Sequence, residues 1–309
     1  MTPWTLACPV CRTVLPGCNH HWQQIDGIWR FLPPDRAEIF APFLRDYTRI
    51  RHAEGRGSED PEHYRRLPDC DPDHPIAWQW NMRRRTWDTF RRRVLPRLGP
   101  KILDLGAGVG WLSHRLADLG YQPCAVDVSV DDRDGLAAAR HYAPEWPRLQ
   151  AELDHLPLAD GQADAAIFNA SLHYSSDYST TLREALRVLR PGGSLVILES
   201  PIYRKEESGQ RMVAERHADF ERRFGTRSDA LPSIEYLTWN RLDRLGKELG
   251  LRWQKFPTWY GWQWALRPWI ARLKHKREPS RFVILVGRKA IGALPQDSAV
   301  TPQDSGVSA

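Results

Sequence analysis

Apolar and polar positions alternate most regularly between Lys101 and about Ser200, where short apolar runs trade with amphipathic ones. The pattern predicts strands at Ile102–Leu105, Pro123–Val128, Ala163–Asn169 and Ser194–Glu199, with helices at Trp111–Leu119, Asp131–His141 and Ser179–Leu189. Strand and helix in alternation imply a parallel sheet with crossover helices. Pro191-Gly192-Gly193 is expected to stop the last of these helices sharply. Upstream, Trp80, Trp87, Phe90 and Val94 share one face of a helix predicted over Pro75–Arg93. Downstream come a polar helical stretch, a helix near Thr238–Leu249, a strand near Leu251–Phe256, a Trp-rich insert and a final strand at Arg281–Arg288.

No apolar run approaches the roughly 20 residues that a membrane span requires, and the N-terminus lacks the basic start and long apolar stretch of a secretory signal. Those features point to a soluble, cytoplasmic protein. The five cysteines are odd in number and three crowd into the first twenty residues, a distribution that suits metal binding better than disulfides. The net charge of +6 is compatible with RNA or an anionic surface as partner but does not choose between them. The arginines at 83–85 and 91–93 read first as a solvated helix face and second as a nucleic-acid patch.

The strongest local signal is Ile102-Leu103-Asp104-Leu105-Gly106-Ala107-Gly108-Val109-Gly110-Trp111, a strand that runs into a glycine-rich turn and then a helix. Glycines there let the backbone approach a ligand closely and leave helix N-terminal amides free. Their spacing differs from the Gly-x-Gly-x-x-Gly of dinucleotide sites, because they fall at every second position after an acid. The stretch resembles motif I of class I S-adenosylmethionine (SAM) dependent methyltransferases. That resemblance implies a turn of Gly106, Ala107, Gly108 and Gly110 around the methionine end of SAM, with Asp104 answering its ammonium group.

Three further stretches extend the resemblance over about Lys101 to Ser200. Asp127, at the end of Ala125-Val126-Asp127-Val128, lies about 20 residues past the glycines, where a carboxylate accepts from both ribose hydroxyls. Glu152 and Leu153 match the family positions that bracket adenine, with Asp154 as the alternate acid. Asn169 ends the fourth strand beside the cofactor, and Glu184 to Gly193 resembles the helix-stop-strand of quinone-type methyltransferases. His173, followed by Tyr174, is the expected general base for a hydroxyl or acidic-carbon acceptor. Asn169 is followed by Ala-Ser-Leu rather than Pro-Pro-aromatic, which speaks against amino-group methylation of adenine or glutamine. The absence of a Pro-Cys there disfavours pyrimidine carbon methylation through a cysteine adduct.

At the N-terminus, Cys8-Pro9-Val10-Cys11 and Cys18-Asn19-His20-His21 form two knuckles suited to tetrahedral structural zinc. Cys8, Cys11, Cys18 and His21 are the expected ligands, with His20 as substitute for His21. The segment resembles the zinc ribbons of ribosomal RNA guanine methyltransferases and departs from their four-cysteine form in its histidine.

The expected organisation is therefore a zinc ribbon over 1–34, a helical and loop linker and lid over 35–98, a methyltransferase domain over 99–291 and a disordered tail over 292–309. The expected fold is α/β, a Rossmann-like, seven-stranded, mostly parallel sheet flanked by helices. The expected partners are SAM and a small-molecule or lipid-like acceptor methylated on O, N or C, with an RNA base as the alternative acceptor. Trp259, Tyr260, Trp262, Trp264 and Trp269, with Arg267, Arg272, Lys274, Lys276 and Arg277, form an aromatic and cationic insert. Its readings are base stacking, a ring-bearing ligand, a membrane surface, or a plain lid.

Overall fold

The computed structural model describes residues 3–289. The strands are β1 Gln23–Ile25, β2 Ile28–Arg30, β3 Lys101–Leu105, β4 Gln122–Asp127, β5 Arg148–Gln150, β6 Ala163–Asn169, β7 Leu189–Leu198, β8 Ile202–Tyr203, β9 Leu237–Thr238, β10 Leu251–Pro257 and β11 Val283–Lys289. The helices are α1 Pro34–Ala53, α2 Pro61–Arg66, α3 Ala77–Arg93, α4 Trp111–Asp118, α5 Tyr178–Val188, α6 Glu206–Phe224, α7 Trp239–Glu248 and α8 Trp262–Leu273. The tail expected over 292–309 lies outside the described residues.

β3 is the centre of the sheet. β3 and its neighbour β6 bury both of their faces, so they read as continuous apolar runs rather than alternating ones. Leu103 and Leu105 join Phe168, Leu195 and α5 on one side, while Ile102 joins Ile167, Val196, α3 and α4 on the other. Trp80, Trp87, Phe90 and Val94 are all buried together, as their spacing predicted.

The order is β1-β2-β5-β4-β3-β6-β7-β11-β10, nine strands rather than the expected seven. The seven from β5 to β10 are the anticipated sheet, parallel except where β11 runs antiparallel to both β7 and β10. The two extra strands come from the N-terminal segment, because β2 pairs in parallel with β5. Left alone, β5 would present an unpaired edge of amides and carbonyls. The Phe31 amide continues the ladder onto the Gln150 carbonyl at 2.8 Å. The N-terminal segment is therefore stitched into the sheet.

Two elements depart from expectation. The helix predicted over Asp131–His141 is only a 3-10 helix over Leu136–Tyr142. Asp131 competes for the local amides, its Oδ1 accepting from Arg133 at 3.0 Å and Asp134 at 2.7 Å, and Gly135 is extended. β7 begins at Leu189 and not at Ser194, since Leu189 pairs with Ala163 and the stretch from the exposed Arg190, Pro191 and Gly192 to the buried Gly193 is absorbed as an irregularity in register.

Candidate functional site

From β3 the chain proceeds to β4 and β5 on one side, then returns to β6 and β7 on the other. Open α/β sheets bind ligands at such a reversal, outside the carboxyl ends of the strands. A cavity of about 350 Å³ lies there. Its floor is Gly106 and Gly108 after β3, Asp127, Val128 and Ser129 at the end of β4, Ala151 to Asp154 after β5, and Ala170 and Ser171 after β6.

The glycines differ in what they permit. Gly106 has φ +72°, and a Cβ there would lie 2.2 Å from that of Ser171. Gly108 has φ +52°, and a Cβ there would meet nothing within 4 Å. Gly106 is thus required by the packing beneath the turn, whereas Gly108 keeps its cavity side clear. Gly110, at φ +74°, packs towards Trp146 and caps α4 in the left-handed region.

Asp127 is held by two backbone amides, Gly108 N–H to Oδ2 and Ser129 N–H to Oδ1, both at 2.8 Å. Burial nonetheless pushes its carboxyl above the usual range. Each oxygen retains lone pairs that can accept from a ligand hydroxyl. Glu152 is claimed from the other side by Arg36 of α1, which donates from Nε at 2.7 Å and Nη2 at 2.6 Å. Asp154 carries no such guanidinium, and burial together with the Glu152 charge raises its carboxyl. The two acids that sequence left open therefore both line the cavity, one pinned and one not.

Asp104 behaves differently from expectation. It is fully buried, its Oδ2 accepts from Ser113 Oγ at 2.8 Å, and Oδ1 has no partner. Desolvation pushes its carboxyl up to about 7, opposed by the Ser113 hydrogen bond and assisted by the Asp127 charge. It does not line the cavity; nor do Ala107, Gly110 or Asn169. A strand residue two positions before the turn points into a sheet face, and here that face holds α4 with Ser113.

His173 is also absent from the lining, while its neighbour Tyr174 is present. The imidazole packs against the Tyr174 ring at 4.5 Å between centroids, and its Nδ1 is buried without a partner. Desolvation, reinforced by Arg216, Arg51 and Arg83, pushes its pKa down to about 3. Such a ring is neutral at pH 7 and a poor proton acceptor, so the geometry argues against the expected general base.

The roof comes from α1, outside the motif region. Ile39, Phe40, Phe43, Leu44 and Tyr47 line the cavity, and Leu231 to Ser233 close another side. Only Ile50 of this helix is buried, so its apolar side faces the cavity rather than a core. Behind the wall, Arg51 donates to the Tyr47 hydroxyl at 2.5 Å and the Tyr174 hydroxyl at 3.1 Å. Sequence reasoning missed Arg36 and this wall, although 39, 40, 43, 44 and 47 do follow a helical period.

At the N-terminus, ligand atoms of Cys8, Cys11, Cys18 and His20 lie within 4.8 Å of one another, so His20 replaces the expected His21. Beyond Cys18 the chain extends towards β1, where alternate side chains share a side. His20 accordingly stacks with Trp22, centroids 6.2 Å apart, which turns His21 away. A second cluster, His63, Cys70 and His74, also comes within 4.8 Å and was not foreseen. The knuckle docks onto the loop after the cavity's acids. Ala7 N–H donates to the Pro157 carbonyl at 3.1 Å, Ala159 N–H donates to that of Thr5 at 3.0 Å, and Arg12 pairs with Glu184 at 2.5 Å.

Residues 103–197 match the family model described as a methyltransferase domain. The segment from β3 to β7 is thus similar to a methyltransferase domain. A demethylmenaquinone methyltransferase of Mycolicibacterium vanbaalenii is 39% identical over 117 residues, which cover 37% of this chain and 49% of that protein. A malonyl-[acyl-carrier protein] O-methyltransferase of Hahella chejuensis is 32% identical over 124 residues, 38% of this chain and 44% of that one. The chain thus spans about half the length, or less, of these curated relatives. A solved structure from Galdieria sulphuraria, described as a candidate sarcosine dimethylglycine methyltransferase, superposes with a TM-score of 0.51 at 15% identity, covering 80% of this chain and 98% of that one. At that identity the likeness concerns the fold.

Proposed function

We propose that the protein transfers a methyl group from SAM to a small or lipid-like acceptor. The observation that carries this reading is that the glycine turn with Asp127 and the apolar face of α1 share one cavity. Its size falls within the roughly 300–1,000 Å³ of small-molecule sites. The residues fit SAM: Gly108 leaves open space, Asp127 offers acceptor lone pairs for ribose hydroxyls, and Leu153 with Asp154 or Glu152 borders a place for adenine. When bound, SAM supplies an electrophilic methyl on a good leaving group.

The chain's own contribution is alignment and the exclusion of water. Phe40, Phe43, Leu44 and Leu231 present hydrocarbon to the acceptor, while Tyr47 and Tyr174, whose hydroxyls Arg51 orients, line the same cavity. An RNA acceptor calls for free cations at the mouth. Among the described residues lining the cavity Arg36 alone is cationic, and it is committed to Glu152. The relatives named for menaquinone and acyl-carrier substrates support an acceptor of this class.

Cys8, Cys11, Cys18 and His20 are proposed to hold a structural zinc ion, a donor set of three thiolates and one imidazole that suits it. The metal would pin the knuckle against Pro157 and Glu184, next to the loop bearing Glu152 and Asp154.

Calorimetric titration with SAM, followed by transfer from methyl-labelled SAM to lipid, small-molecule and RNA extracts, tests the reading. Stoichiometric SAM binding with label in the lipid or small-molecule fraction is expected. Label confined to RNA would overturn the acceptor class, and no heat of SAM binding would overturn the enzyme.

A further inference from the structure

α8 runs for 12 residues without burying one. At roughly 100° per residue, Trp262, Leu266, Trp269, Ile270 and Leu273 fall within an arc of about 100°. Their exposure ranges from 45% at Ile270 to 80% at Leu273. The opposite side of the helix is the anchored one. Trp264 stacks on Phe282 at 5.6 Å and meets Tyr260 at 5.2 Å, Arg267 lies 3.7 Å over the Trp264 ring, and the Tyr260 hydroxyl bonds Thr86 of α3 at 2.8 Å. The helix therefore holds on by its polar-aromatic inner side and turns its most apolar ridge outward, the reverse of a surface helix that serves a core. Exposed apolar patches of this kind mark interaction surfaces.

Charge and composition indicate what covers the ridge. From Gly250 to Arg277 the sequence contains no Asp or Glu. Arg252, Lys255, Arg272, Lys274 and Lys276 are all exposed within that stretch. An anionic partner is thereby favoured, and a second copy of the chain is disfavoured, since it would bring these cations together. The ridge mixes indole rings with aliphatic side chains. Bases stack on aromatic rings but gain little from Leu266, Ile270 and Leu273, whereas a bilayer takes indoles at its headgroup level and aliphatics just below. Among the described residues no helix is long and apolar enough to cross a membrane.

We infer that α8 docks in the plane of an anionic lipid bilayer, its Trp262–Leu273 ridge in the headgroup–acyl boundary and Arg272, Lys274 and Lys276 on the lipid phosphates. This surface is independent of the acceptor reading, which it would serve by bringing the cavity to where lipid-like molecules reside.

The full-length protein is sedimented with phosphatidylcholine vesicles containing or lacking phosphatidylglycerol. It is expected to pellet with the anionic vesicles and to be released by added salt. W262S/W269S/L273S, with an unfolding midpoint close to wild type because Trp269 and Leu273 are largely exposed and Trp262 meets the likewise exposed Trp259 ring at 5.0 Å, is expected to lose about tenfold or more in vesicle affinity. R272E/K274E/K276E is expected to lose the preference for phosphatidylglycerol. Wild-type protein that stays in the supernatant with anionic vesicles overturns the inference, as does undiminished pelleting of the ridge variant. A fall in solution mass of the ridge variant would assign the ridge to a second copy instead, and ridge-dependent binding to RNA would assign it to nucleic acid. Docking without any methyl transfer to lipids or small molecules would leave this surface standing and remove only the acceptor reading.

Discussion

Replacing Asp104 by Asn separates a buried, proton-holding carboxyl from a cofactor-facing carboxylate. In the fold its pKa is pushed from 3.8 up to about 7, chiefly by desolvation. A group whose folded pKa lies above its unfolded value contributes its full stability below the unfolded pKa and loses it as pH rises through the folded one. Below about pH 4 Asp104 is protonated in both states. Above that, the unfolded chain ionises while the native state holds its proton, so wild-type stability falls relative to Asp104→Asn until about pH 7. At roughly 1.4 kcal/mol per pH unit the swing between the two proteins amounts to about 4 kcal/mol. Asn keeps an acceptor for Ser113 but leaves a buried amide N–H, an offset of about 1–3 kcal/mol that does not vary with pH. The swing and not the offset is therefore the observable. Urea unfolding of both proteins at intervals from about pH 4 to pH 8 measures it. The variant should gain steadily on wild type as pH rises. A difference that stays flat over that interval would refute the buried placement and restore Asp104 to the cavity, where it would also be needed for SAM binding.

The glycine turn can be dissected by two alanines. Gly106→Ala should fail to fold stably, because its Cβ would overlap Ser171, whereas Gly108→Ala should fold with a loss of about 1–2 kcal/mol for a left-handed alanine yet bind SAM at least tenfold more weakly in calorimetry. His20→Ala should release the metal and His21→Ala retain it, measured as zinc per chain; loss in the second variant alone would reinstate His21. His173 has its pKa depressed from 6.5 to about 3, so its contribution is present above 6.5 and lost as pH falls towards 3. His173→Gln should therefore resist acid unfolding in that window better than wild type, and should keep the greater part of methyl transfer. A collapse of turnover with unchanged SAM affinity would show the imidazole to be the base after all.

Much of this protein was legible residue by residue. The glycine turn, the strand ends and the cofactor-side acids rest on local physics, since positive φ at Gly106 and Gly108 depends on the absence of a Cβ and the period of two places apolar residues on both faces of β3. Asp127, Val128, Glu152 and Leu153 consequently came together at one cavity as the sequence implied. Other features depend on what approaches from far along the chain. Whether Asp104 faces a ligand or a helix is decided by Ser113 packing on that side of β3, and whether Glu152 is free is decided by Arg36. The choice of His20 over His21 follows the direction in which the chain leaves Cys18 towards the sheet. The nine-stranded sheet exists because an unpaired β5 edge finds β2, whose paired residues lie 120 positions earlier in the chain and which no local pattern assigns to it. Short-range sterics and periodicity are written in neighbouring residues; desolvation, pairing of charges and sheet edges are properties of residues that meet only when the chain has folded.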